Sequence, residues 1–98
     1  MTDPIPVELL SENKVAELAA SVPEWILGEG VLSREFKFAD FVESLAFVYR
    51  VAALAEEHDH HPDIHISYNR VRLDLSTHTV GGLSEKDFAL AEAVDCLI

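Results

Sequence analysis

All five histidines of this chain, His58, His60, His61, His65 and His78, fall within 21 residues, between helix-like and strand-like segments. Imidazole is the side chain that gives and takes protons near neutral pH, and it is also a common metal ligand, so the cluster has three readings: acid/base site, metal site, or surface patch. For a metal, His58, His60 and His61 would supply imidazoles, with His78, Asp59 or Asp63 completing the set. The spacing argues against it. Pro62 and the adjacent histidines give diverging side chains, no cysteine is near, and neither an H-E-x-x-H nor a C-x-x-C element is present. His58 reads as a solvated helix end, and His65 as an outward strand residue pairing across a hairpin with Asp74. That leaves His60, His61 and His78. Glu56 lies four residues before His60 at the end of a predicted helix, where the negative pole of the helix dipole attracts an imidazolium. His78 follows a predicted strand, and Asp87, in the first turn of the next helix, is expected to reach back to it while also capping that helix. Gly81-Gly82 serves either a tight turn or a close approach of backbone to ligand.

The elements that must hold these groups follow from periodicity. Val15, Leu18 and Ala19 predict a first helix over 11–20, closed by Pro23, with Leu9 and Leu10 as a backward extension. Trp25, Ile26 and Leu27 open a strand, Gly28-Glu29-Gly30 is read as its turn, and the alternation of Leu32, Phe36 and Phe38 predicts a second strand over 31–38. Asp40 caps a helix running to about His58, with Phe41, Leu45, Val48, Ala52 and Ala55 as its buried face. Pro62 ends it. Ile64, Ile66 and Tyr68, a turn at Asn69-Arg70 with Asn69 at positive φ, and Val71, Leu73 and Leu75 predict a second hairpin, with Tyr68 opposite Val71, Ile66 opposite Leu73 and Ile64 opposite Leu75. After a loop over 77–82, Ser84 to Asp87 reads as a capping box. Leu83, Asp87, Leu90, Ala91, Val94 and Ile98 trace the buried face of a last helix. The expected fold is α+β: one domain over 1–98, order α-β-β-α-β-β-α, with a four-stranded antiparallel sheet and three helices on one face.

An ordered pattern, Glu56-x-x-x-His60-His61-Pro62, then Tyr68, His78 and Asp87 after five, nine and eight intervening residues, resembles the signature of the pterin-4a-carbinolamine dehydratases. The likeness extends to Trp25, Phe36-x-Phe38-x-x-Phe41, Val51-Ala52, Ala55-Glu56, Asp59 to Asp63, Tyr68-Asn69-x-Val71, Ser76-Thr77-His78 and Gly81-Gly82-Leu83-Ser84; before Trp25 only the type of element matches. The resemblance implies the same α-β-β-α-β-β-α fold and an enzyme without metal or bound cofactor. Its reaction removes water from the 4a-hydroxy-tetrahydropterin left by an aromatic amino acid hydroxylase, yielding quinonoid dihydropterin. By that likeness His60 and His78 are the acid/base pair, His61 holds the pterin ring, and Glu56 and Asp87 orient the imidazoles. The family's homodimers and homotetramers set the expected assembly. Animal members also act as dimerisation partners of a homeodomain transcription factor, so a non-catalytic binding module is the rival from another class.

Composition bounds the rest. The 98 residues are 49% apolar and carry 18 acidic against 7 basic side chains, a net charge of −11. Such a chain folds as one domain with a modest core that benefits from a partner subunit, and its charge repels nucleic acid and anionic lipid. Glu43 and Arg50 interrupt the longest apolar stretch well short of the roughly 20 residues of a membrane span. Acidic residues and prolines in Met1 to Leu10 do not fit an export signal, and the single Cys96 makes no internal disulfide; the expected compartment is the cytoplasm.

Overall fold

The structure, a computed structural model, describes residues 7–98, so the reading of Met1 to Pro6 as part of a start without an export signal lies outside the described residues. The chain runs α1 (Glu12–Ala19), β1 (Ile26–Gly28), β2 (Val31–Lys37), α2 (Phe41–His58), β3 (Asp63–Ser67), β4 (Arg70–Leu75), a 3-10 turn (His78–Val80) and α3 (Glu85–Asp95). This is the expected order. The four strands form one antiparallel sheet in the order β1-β2-β4-β3, so the two hairpins join through β2 and β4.

Alternation along β2 and β4 buries Leu32, Phe36, Val71, Leu73 and Leu75 on one side, where Phe47 and Val51 of α2 and Phe88, Leu90, Ala91 and Val94 of α3 complete the core. The other side carries Ser33, Glu35, Lys37, Arg70, Arg72 and Asp74, which suits a sheet covered on one face only. Trp25 packs edge-on against Phe36 and donates its indole N–H to Asp95 at 2.8 Å, while Arg34 binds the same carboxylate oxygen at 2.7 Å. The end of α3 is thereby fastened to the first hairpin.

Five local expectations are corrected. Leu9 and Leu10 lie outside α1: Ser11 is its N-cap, accepting from Lys14 N, and Leu10 N–H bonds Leu83 O at 2.9 Å. The first turn has two residues, Glu29 and Gly30, both at positive φ (51° and 75°) as a tight hairpin of matching twist requires, and Gly28 belongs to β1. The buried face of α2 is Ser44, Phe47, Val51 and Ala55, whereas Phe41 and Leu45 are 45% and 42% exposed. This helix is apolar on several sides, so period alone does not choose the face. The choice falls to Phe47, which stacks on Phe36 and Phe38 with ring centroids 4.7 and 4.9 Å apart. Ser44, a polar residue in a core stripe, is satisfied by Asp40 O at 3.0 Å.

The second hairpin slides by two residues: Ile66 faces Val71 and Ile64 faces Leu73, and the turn is Tyr68-Asn69 with Tyr68, not Asn69, at positive φ. Asn69 is held by Phe38 through two bonds, Nδ2 to Phe38 O at 3.1 Å and Phe38 N to Asn69 O at 2.8 Å. A slide of two preserves sidedness, because strand side chains repeat every second residue. On α3, Phe88 joins the core and Ile98 is 67% exposed, since the helix stops at Asp95 before its face reaches that residue.

Candidate active site

The last turn of α2 sets the site. Asp59 adopts a left-handed conformation (φ 50°, ψ 45°), its N–H bonds Glu56 O at 3.2 Å, and His60 N–H bonds Ala55 O at 3.0 Å. This is the Schellman ending that usually carries glycine, here formed by aspartate, one of the few other residues that tolerates it. The reversal takes His60 off the helix face and toward the start of α3. There its Nε2 lies 2.6 Å from Asp87 Oδ1, with Asp87 fully buried and the His60 side chain 11% exposed.

Asp87 is anchored on its other oxygen. Oδ2 accepts from Thr77 Oγ1 at 2.8 Å and from the Ser84 N–H at 2.9 Å, the latter being half of the predicted capping box. A carboxylate accepts only, so the proton in the 2.6 Å contact belongs to His60 Nε2, and Nδ1 is the nitrogen left for a ligand. His61 is arranged in parallel: its Nε2 bonds Glu56 Oε2 near the surface. His78 stands exposed on the 3-10 turn, with no side-chain hydrogen bond among the described residues.

The expected pairings are therefore exchanged. Asp87 serves His60 rather than His78, and Glu56 serves His61 rather than His60. The cause is the left-handed turn at Asp59, which breaks the i, i+4 relation of Glu56 to His60.

A cleft of about 420 Å³ is lined by Asp59, His60, His61, Thr77, His78 and Lys86 among others. All three singled-out histidines reach it; Glu56 and Asp87 stand behind them. His65 is on β3, paired with Asp74 Oδ2 at 3.2 Å, and opposite Arg72 rather than Asp74 in the ladder. His58 ends α2 half-buried rather than solvated, outside the cleft. Among the described residues, no group of three or more His, Cys, Asp or Glu side chains could hold a metal ion. A larger depression of about 480 Å³ between β2 and α2 contains no histidine.

Residues 8–97 match the family described as pterin 4 alpha carbinolamine dehydratase. The chain belongs to that family. A Chloroflexus aurantiacus protein provisionally named pterin-4-alpha-carbinolamine dehydratase is 56% identical over 86 residues, which is 88% of this chain and 92% of the relative. A Sulfolobus acidocaldarius protein of the same provisional name is 43% identical over 88% of this chain and 94% of its own. Among solved structures, a transcriptional coactivator/pterin dehydratase from Brucella melitensis superposes with a TM-score of 0.83 at 33% identity, covering 90% of this chain and 96% of that one. A pterin dehydratase-like protein described as a RuBisCO assembly factor in the alpha-carboxysome gives 0.62 at 31% identity, over 74% of this chain and 84% of its own.

Within this pterin dehydratase fold, three groups in or behind the cleft were not singled out from sequence as site residues. Thr77 and Ser84 stand behind Asp87, and Lys86 projects into the cleft with its ammonium 3.3 Å from Asp59 O. The capping-box pattern marked Ser84 as a helix start. Asp87 of the same box was expected to serve a histidine, but His78 rather than His60.

Proposed function

We propose that this protein dehydrates 4a-hydroxy-tetrahydropterin to quinonoid dihydropterin by histidine acid/base catalysis. The observation that carries the reading is the buried Asp87–His60 pair opening onto a cleft shared with His61 and His78. The reaction breaks the C4a–O bond with a proton delivered to the departing hydroxyl, removes a proton from a ring nitrogen, and leaves a C=N bond and water. Two proton carriers on different elements of one cleft match that demand. His60 presents Nδ1 with its tautomer held by Asp87, His78 is the second carrier, and His61, held by Glu56, grips the ring. The carboxylates orient imidazoles as the aspartate of a catalytic triad does. In this reading the protein takes a pterin released by an aromatic amino acid hydroxylase and works in the cytoplasm, where the exposed, free Cys96 stays reduced.

We also propose a homo-oligomer. Phe41, Val42, Leu45 and Tyr49 are 45%, 73%, 42% and 78% exposed and lie along one side of α2, an apolar stripe of the kind a second copy covers. The same stripe favours the alternative of a binding module, and the relatives described as coactivator and assembly factor keep that reading in play.

The deciding experiment generates the carbinolamine with a hydroxylase and follows quinonoid dihydropterin with and without this protein, in the presence of a chelator. Acceleration that survives the chelator is expected. No acceleration would leave the binding-module reading, and activity restored only by added zinc would leave metal chemistry.

A further inference from the structure

We infer that Thr77 and Ser84 are positioning residues, forming with Asp87 a one-way chain of hydrogen bonds that fixes the tautomer and ring orientation of His60; the inference rests on the dehydratase reading. All three residues are buried: Asp87 and Ser84 are 0% exposed and Thr77 is 5% exposed. Thr77 Oγ1 lies 2.8 Å from Asp87 Oδ2 and 2.7 Å from Ser84 Oγ. A carboxylate only accepts, so the single Thr77 hydroxyl proton goes to Asp87. The Thr77 oxygen must then accept from Ser84, whose own lone pair receives the Lys86 N–H at 3.3 Å. Protons therefore point one way along the whole path, from Ser84 O–H to Thr77, from Thr77 O–H to Asp87 Oδ2, and from His60 Nε2–H to Asp87 Oδ1. With Oδ2 occupied by two donors, rotation of the carboxylate would break both, so Oδ1 is pinned where His60 meets it.

Thr77 also holds the second proton carrier. Its N–H donates to Gly82 O at 2.8 Å, and its carbonyl accepts from Val80 N at 3.1 Å, closing the loop that bears His78. Its side chain fixes His60 and its backbone fixes the turn of His78, so one residue sets the spacing between the two. A role limited to capping α3 would not need the Thr77 hydroxyl at all, because Ser84 and Asp87 complete the capping box between themselves.

The test compares Thr77→Val, which keeps the branched shape and loses the hydroxyl, with Thr77→Ser, which keeps the hydroxyl. Expected for Thr77→Val is a kcat lowered about tenfold, the lower end of what outer partners of functional histidines contribute, with KM within about twofold. Thr77→Ser should recover most of it. Independently of activity, the ligand-free protein should show a downfield ring N–H proton resonance, assigned to His60 by its loss in His60→Gln. That resonance should persist in Thr77→Ser and move upfield or vanish in Thr77→Val. A folded Thr77→Val with unchanged resonance and kcat overturns the inference. If Thr77→Val does not fold, Ser84→Ala, which removes the donor behind Thr77, carries the same two readouts and the same overturning result. A parent protein without dehydratase activity would sink the proposed reaction, while the resonance would still report for or against the chain.

Discussion

His60 and His78 differ in how they are held, yet the proposed reaction asks a proton transfer of each. His60 is nearly buried against Asp87, whereas His78 stands on a short exposed turn. Removing a positioned acid or base lowers the chemical step by roughly 10²–10⁴-fold, so His60→Ala and His78→Ala should each fall in that range, and their combination should cost less than the sum of the two in free energy. His61→Ala should raise KM more than it lowers kcat. His58→Ala and His65→Ala, outside the cleft, should match the parent in steady-state kinetics; an equal loss in either would refute the assignment. Asp87→Asn probes the same pair from behind. The amide has one acceptor oxygen where the carboxylate offers two, so either Thr77 or His60 faces a donor. Unsatisfied polar groups at this buried position should lower stability by about 1–3 kcal/mol, measured by urea denaturation, and kcat should fall with it.

Among the elements, the central pair β2 and β4 carries the site indirectly. It supports α2 and α3 from below, and their ends bring His60 to Asp87. Leu73 of β4 is 0% exposed, so Leu73→Ala should cost about 2–5 kcal/mol of folding free energy. Ile98, which periodicity places on the buried face of α3, is 67% exposed, and Ile98→Ala should stay within about 0.5 kcal/mol in the same denaturation experiment. The pair of measurements separates the observed core from the one that periodicity alone suggests. The alternation that defines a strand face survived the slide of the second hairpin because the slide was even. The face of α2 did not survive, because a helix with apolar residues on several sides leaves the choice to whatever packs against it.

For the whole molecule, net charge and apolar surface act in opposite directions. The exposed stripe on α2 favours association, while a charge of −11 per chain makes like subunits repel. Charge repulsion extends over about 30 Å at 0.01 M salt and about 10 Å at 0.1 M, so the single chain should be the minor species at micromolar concentration in physiological salt and should gain population at low salt. Sedimentation velocity across that range checks it, and Leu45→Glu should shift the distribution toward the single chain. A monomer mass of 10.9 kDa at every salt concentration would refute the oligomer without touching the catalytic proposal. Among the described residues no helix is long and apolar enough to cross a membrane.

The order of elements, the caps at Asp40 and Ser84, and the concentration of histidines before and after the second hairpin were legible in the sequence, because each depends on neighbours a few residues apart. Which carboxylate serves which imidazole was not. Glu56 stands at helical spacing from His60 and Asp87 lies nine residues from His78, yet the left-handed turn at Asp59 carries His60 to Asp87, 27 positions away, and leaves Glu56 to His61. Local spacing ranks partners by distance along the chain. Here the packing of α2 against α3 sets the distance in space and brings His60 to Asp87, behind which the loop and the cap of α3 place Thr77 and Ser84.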